Sequence, residues 1–250
     1  MSIINSFDLT SESILNPSNL VSPIEGFPKT VIVSFSRYML NTFLRHHTCV
    51  NICNSMDGRP IYETTFNNKP IGFFRASIGA PPTVVLMEEA IVMGAEKFLL
   101  FGSCGTLDNT LTDKSIIVPT HAYRDEGTSY HYMSADAGDF IEVKTAGRTA
   151  EILKEIGINP ILGKTWTTDA VFRETRRNME LRKNDGCITV EMECAGVMAM
   201  ADFRGVEAYQ YLYTADNLDA PEWEARTLGT LSDNTKEQYA RIALEVAVRL

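Results

Sequence analysis

The chain has 250 residues, 44% of them apolar and 22% charged, and a formal net charge of −9. That length is enough for one substantial core, and the acidic balance excludes the basic footprint that nucleic-acid binding requires. No apolar run reaches membrane-spanning length, and the N-terminus lacks the basic-then-apolar order of a secretory leader, so a cytoplasmic protein without nucleic-acid or membrane partners is expected.

Residues 1–29 are polar and without a period, interrupted by Pro17, Pro23 and Pro28. They predict an irregular arm, lying on the body or on a neighbouring subunit, ahead of a domain spanning 30–250. Thr30–Ser34 is a buried-type strand, and Phe35-Ser36-Arg37 leads into a helix through Arg45. His46, His47, Cys49 and Cys53 carry metal-ligand atoms, but their spacing matches no zinc pattern and no second pair follows, so packing is their expected role and no metal is predicted. The odd, scattered cysteines, Cys49, Cys53, Cys104, Cys187 and Cys194, read as free thiols of a reducing compartment.

Ile61–Phe66 and Ile71–Ala76 read as strands joined by a turn at Asn67-Asn68-Lys69-Pro70. Gly79-Ala80-Pro81-Pro82 breaks the second, and Thr83–Met93 carries helical periodicity into Gly94, a fitting residue just past a helix end. Lys97–Phe101 is a buried strand that leaves through Gly102-Ser103-Cys104-Gly105-Thr106. This exit reads as a tight turn whose N–H groups and hydroxyl suit an oxyanion or phosphate. Ser115–Pro119 is a further strand, and residues 124–138 form a long, aromatic-studded connection, a candidate lid or interface loop. Val143–Ile156 follows as a helix, Ile161–Thr168 as a strand and Phe172–Lys183 as a charged helix. Ile188–Val190 is a short strand feeding a helix that ends at Gly205. Glu207–Ala215 is a strand, 216–230 a loop, and Asn234–Leu250 an amphipathic helix. The alternation predicts an α/β fold, a single domain with a central mixed β-sheet flanked by helices.

In open α/β sheets ligands collect beyond the carboxyl ends of the strands. Ser34–Arg37, Gly79, Gly102–Gly105, Trp166–Asp169, Glu191–Glu193 and Thr214–Asp216 all fall at such ends. Glu191 and Glu193 are two apart and cannot share a helical face, so one turns to structure and the other faces the pocket. Arg37 and Arg75 are the cations best placed to complete an anion site, and Trp166 could stack on a flat heterocycle. Neither a P-loop nor a serine-nucleophile elbow is present.

Taken in order, Gly102-Ser103-Cys104-Gly105-Thr106, Val190-Glu191-Met192-Glu193 with Ala195-Gly196, and Thr214-Ala215-Asp216 resemble the trimeric and hexameric nucleoside phosphorylases. That family includes bacterial purine nucleoside phosphorylase and uridine phosphorylase. The resemblance implies that Glu193 binds the ribose hydroxyls and Met192 packs on the sugar, and that Ser103, Gly102 and Arg37 meet phosphate. Trp166 and Phe172 belong to its base-pocket strand exit, and Asp216 would bind a purine and protonate it at N7 as it departs. It further implies no cofactor beyond inorganic phosphate as co-substrate, and a homo-oligomer (dimer, trimer or hexamer) in which Arg59 or His131 reaches a neighbouring site.

Two departures stand out. Leu100 replaces the family's phosphate arginine, and the Gly-Asp-Pro-x-Arg loop is shortened to Ser34-Phe35-Ser36-Arg37; Arg75 is expected to supply the missing cation. The uracil-binding Gln-x-Arg clamp falls on Thr175-x-Arg177, only half retained, which with Asp216 favours a purine. The expected reaction is therefore phosphorolysis of a purine nucleoside to free base and ribose 1-phosphate. The alternatives are uridine phosphorolysis, hydrolysis by water on the same fold, which Leu100 favours, and nucleoside binding without turnover.

Overall fold

In the computed structural model, which describes residues 2–250, ten strands form one mixed sheet. They are β1 (Thr30–Ser34), β2 (Cys49–Asn54), β3 (Pro60–Phe66), β4 (Lys69–Arg75), β5 (Lys97–Thr106), β6 (Ile116–Asp125), β7 (Phe140–Glu142), β8 (Ile161–Thr168), β9 (Cys187–Glu191) and β10 (Glu207–Asn217). The helices packed around them are α1 (Arg37–His46), α2 (Ala80–Met93), the single turn α3 (Ser129–Tyr132), α4 (Ala146–Glu155), α5 (Arg176–Asn184), α6 (Cys194–Arg204) and α7 (Asp233–Ala247). The predicted single α/β domain with a helix-flanked mixed sheet is what forms.

The sheet pivots on β5. This strand pairs in parallel with β1 and with β10, then antiparallel with β9 at Gly105 and Thr106. From β10 the ladder runs through β6 and β8 to β9 and so back to β5, closing five strands into a ring. Closure removes the unpaired edges that an open sheet would leave. On the other side β1, β4, β3 and β2 extend the sheet to an edge at β2. The buried run Val31–Val33 reflects a parallel strand covered on both faces. The β3–β4 hairpin turns on Asn67 and Asn68, with φ of 48° and 61°, the left-handed pair that a two-residue turn requires.

Several elements differ from the sequence expectation. Gly102–Thr106 is not a turn, because β5 continues through it. Gly105 is there for close approach: a Cβ would lie 2.5 Å from Leu218 Cδ1 and 3.0 Å from Val190 Cγ1. Likewise β10 runs on through Asp216 to Asn217, across a register shift between Thr214 and Asp216. β2 and β7 escaped notice, the first because its exposure does not alternate and polar residues interrupt it, the second because it is three residues long. Phe172 does not begin a helix. Val171–Arg173 is one 3-10 turn, and α5 starts after Thr175, whose hydroxyl accepts the Asn178 N–H as an N-cap.

Residues 124–138 are no loose lid. The buried Arg124 guanidinium donates to Ser129 Oγ and to the carbonyls of Met133, Ser134 and Gly138, pinning the segment to itself. In the 2–29 segment, Ile24 N–H donates to Met93 O and Phe27 is buried, whereas Leu9, Ile14 and Leu15 are exposed. Cys49 Sγ donates to the carbonyls of Phe43 and His47, and Cys53 Sγ contacts Met93 Sδ. All five cysteines are free thiols. Among the described residues no group of His, Cys, Asp and Glu is arranged to hold a metal, and no helix is long and apolar enough to cross a membrane.

Candidate active site

A cavity of about 510 Å³ opens where β1, β5, β9 and β10 reach their carboxyl ends. Ser34–Met39 wall it from β1 and α1, Gly102–Gly105 from β5, and Val190–Glu193 from the β9–α6 junction. Ala215 and Asp216 of β10, the 227–231 segment and Lys236 of α7 complete it, with Val171 and Glu174 from the passage into α5.

The two glutamates at the β9–α6 junction divide as the helical geometry demands. Glu191 turns inward: Oε1 accepts from Thr167 Oγ1 at 2.5 Å, and Oε2 accepts the N–H groups of Glu193 and Cys194 at 2.9 and 2.7 Å. It therefore caps the first turn of α6, where the helix dipole favours a negative charge. Burial raises its pKa, and these hydrogen bonds oppose the rise. Glu193 lines the cavity, and its Oε1 accepts Gly79 N–H at 2.6 Å. Gly79 presents that N–H from φ 104°, a conformation open to glycine. Burial, then repulsion from Glu191, pushes the Glu193 carboxyl up to about 8.

At one end of the cavity stands Asp216, whose Oδ2 accepts the Trp223 indole N–H at 2.8 Å. Burial raises its pKa, against the lowering effect of Trp223 and of Arg226. Glu174 lies beside it and is pushed up to about 7 by burial and by the charge of Asp216. The sequence reading missed Glu174. Placing the Gln-x-Arg pattern one residue earlier, as Glu174-x-Arg176, would have found it. Arg176 donates to the carbonyls of Leu218, Ala220 and Pro221 and so fixes the loop beyond Asp216. Ser34, Ser36 and Ser103 bring hydroxyls to the lining, and Arg37 and Lys236 bring its cations.

Six of the predicted site residues thus meet in one cavity: Arg37, Gly102, Ser103, Met192, Glu193 and Asp216. Three do not. Trp166 is 1% exposed and packs in a separate cluster with Leu107, Met179, Cys187 and Val190, while its Nε1 donates to Asp125 Oδ2 at 2.9 Å. It is a core residue, pulled off the cavity because its indole N–H finds its partner in the Asp125 carboxylate at the end of β6. Truncating it to alanine is expected to cost about 3–5 kcal/mol of stability. A urea unfolding midpoint unchanged from wild type would refute that placement. Phe172 is 97% exposed on the 3-10 turn, and its neighbour Val171 takes the place in the lining. Arg75 ends β4 in register with Ser34 but does not line the cavity. Arg59 is held by Asp57 and by Ser77 Oγ, and His131 is exposed on α3.

The sequence has counterparts among known proteins. The sequence profile of the phosphorylase superfamily matches residues 29–249. A DeoD-type purine nucleoside phosphorylase of Caldanaerobacter subterraneus subsp. tengcongensis is 25% identical over 214 residues, covering 85% of this chain and 90% of its own. A guanosine phosphorylase of Halorubrum lacusprofundi is 26% identical over 194 residues, covering 76% and 77%. A DeoD-type purine nucleoside phosphorylase of Thermoanaerobacter sp. is 24% identical over 214 residues, covering 85% and 89%. The chain belongs to the phosphorylase superfamily. It is an enzyme of the pentosyltransferase, nucleoside phosphorylase kind.

Proposed function

We propose that this enzyme cleaves the N-glycosidic bond of a purine nucleoside with inorganic phosphate, releasing the free base and ribose 1-phosphate. One observation carries the reading: a single cavity holds a buried carboxyl, Glu193, together with a carboxyl pair, Asp216 and Glu174, and a hydroxyl and cation set, Ser34, Ser103 and Arg37. Glu193 takes the ribose hydroxyls and Met192 the sugar face. Asp216, whose pKa burial raises, hydrogen-bonds N7 of the base through its protonated form. A phosphate oxygen held by Ser103 and Arg37 attacks C1′ as the C1′–N9 bond breaks. The bond's electron pair passes to the base and is neutralised by the proton from Asp216. Electrostatic support for the oxocarbenium-like state and fixed alignment of the two reactants supply the rate. No cofactor enters this scheme.

Residues 1–29 are read as an arm on this catalytic body, and the enzyme as a cytoplasmic homo-oligomer. The names of the purine and guanosine phosphorylase relatives support the base assignment. One observation favours a second reading, hydrolysis by water: Leu100 is fully buried, so this position contributes no cation to phosphate. Base release from inosine, adenosine, guanosine and uridine, with and without phosphate, decides between them. Phosphorolysis predicts release that saturates with phosphate and favours the purine nucleosides. Undiminished release in phosphate-free buffer would establish the hydrolase instead, and binding without product at high enzyme concentration would leave only a nucleoside-binding module.

A further inference from the structure

The cavity lining contains two cations, Arg37 and Lys236. They come from opposite ends of the sequence, and the packing of α1 against α7 brings them to the same wall. Arg37 opens α1 and is exposed; among the described residues it makes no hydrogen bond or ion pair. Lys236 lies in the first turn of α7, with Nζ 5.1 Å from the ring centroid of Tyr38, the residue next to Arg37. Its side chain is 18% exposed, and its ammonium rests on Asp233 at 3.0 Å, a carboxylate that is itself 75% exposed. With its carboxylate open to solvent, this pair contributes little.

A second feature of the same wall calls for an anion. Ser34 lines the cavity and no side-chain hydrogen bond holds its hydroxyl, while the buried hydroxyl of Thr227, also in the lining, has no hydrogen-bond partner among the described residues. Two residues on from Ser34, Ser36 caps the ten-residue α1, accepting the Met39 N–H at 3.4 Å, so the helix N-terminus also points its partial positive charge at this wall. The Ser34 and Thr227 hydroxyls, a free guanidinium, a helix N-terminus and a loosely engaged ammonium together fit a tetrahedral oxyanion.

We propose that Lys236 is the second cation of the phosphate subsite, taking over the charge that neither Leu100 nor Arg75 supplies. The proposal rests on the phosphorolysis reading for its consequence in catalysis, while phosphate binding tests it directly. Phosphate draws the ammonium from Asp233 into the cavity, so α7 supports the reaction through its first turn. Because Lys reaches as a flexible point charge, where Arg presents a rigid fork, an arginine here should serve nearly as well.

The test compares the wild type with Lys236→Met, Lys236→Arg and Asp233→Asn. The first readout is the thermal midpoint of the free enzyme titrated with inorganic phosphate, and the second the KM values for phosphate and for nucleoside. Lys236→Met should need about tenfold more phosphate for the same thermal shift, and its phosphate KM should rise by about as much. Its nucleoside KM should stay within about twofold of wild type, and Lys236→Arg should restore phosphate binding. Asp233→Asn, which frees the ammonium, should bind phosphate at least as tightly as wild type. A phosphate titration of Lys236→Met superimposed on that of wild type would overturn the proposal. Wild-type base release that ignores phosphate would refute phosphorolysis, and the thermal titration would still decide whether Lys236 binds the anion.

Discussion

Glu193→Gln is expected to lower kcat/KM for every nucleoside by about 10²–10³-fold, the range seen when one preorganised group facing developing charge is removed. Glutamine has nearly the same shape and keeps an oxygen to accept the Gly79 N–H, so the fold is preserved and only the ionisable carboxyl is lost. The same substitution should stabilise the protein at alkaline pH. In the folded state burial and Glu191 hold the Glu193 carboxyl up to about 8, whereas the unfolded chain titrates near the ordinary value of 4.5. Between these values the folded state binds the extra proton, so wild-type stability falls as pH rises through that window and is fully retained below it. Glu193→Gln removes this loss. Its melting temperature should therefore exceed wild type at pH 8.5, and the difference should close near pH 4.5. Thermal denaturation at those two pH values, beside a kinetic assay, checks both halves. Full activity in the variant would remove Glu193 from the sugar site, and an equal pH dependence of melting would remove its burial as a cost to stability. A site that destabilises its own fold in this way is a familiar trade of stability for activity.

Asp216→Asn should reduce kcat on purine nucleosides by about 10²–10⁴-fold with little change in KM, because the amide still hydrogen-bonds N7 and the Trp223 indole but has no proton to transfer. In the wild type the general acid must be protonated, so kcat should fall as pH rises through the raised pKa of Asp216. That limb should vanish in the variant. Burial and the charge of Asp216 push the neighbouring Glu174 carboxyl up to about 7, so the two titrations are linked. Purine cleavage left intact by Asp216→Asn, or activity confined to uridine, would overturn both the proton donor and the purine assignment.

Much of this site could be read from the chain because its residues sit in short strand-end blocks whose chemistry is local. The carboxylate spacing at 191 and 193 already required that one turn inward, and the hydrogen bonds to Thr167 and the α6 N-terminus identify it as Glu191. The misses have one common cause. Whether a side chain at a strand end faces the cavity or the core depends on strand length and on distant partners, and neither is written locally. Trp166 looked like a stacking residue, but Asp125, far along the chain, claims its indole N–H. Gly102–Thr106 looked like a turn because glycine usually punctuates, whereas Leu218 and Val190 crowd Gly105 and so require the missing side chain. Phe172 and Thr175 were displaced by the 3-10 turn, which brought Glu174 into the lining. Lys236 could not be foreseen, since its relation to Arg37 exists only after α7 packs on α1.

The closure of five strands through β5 bears on how the enzyme comes into being. β5 waits for β10, whose pairing begins at Glu207 opposite Lys97, more than a hundred residues later in synthesis. Contacts so distant along the chain are slow to form and expose apolar strands until they do. No fragment ending before β10 can hold Asp216 against Gly105 or bring Lys236 to Arg37. The walls that β10 and α7 give the cavity therefore appear in the last stage of folding, and a chain released before β10 is made lacks them.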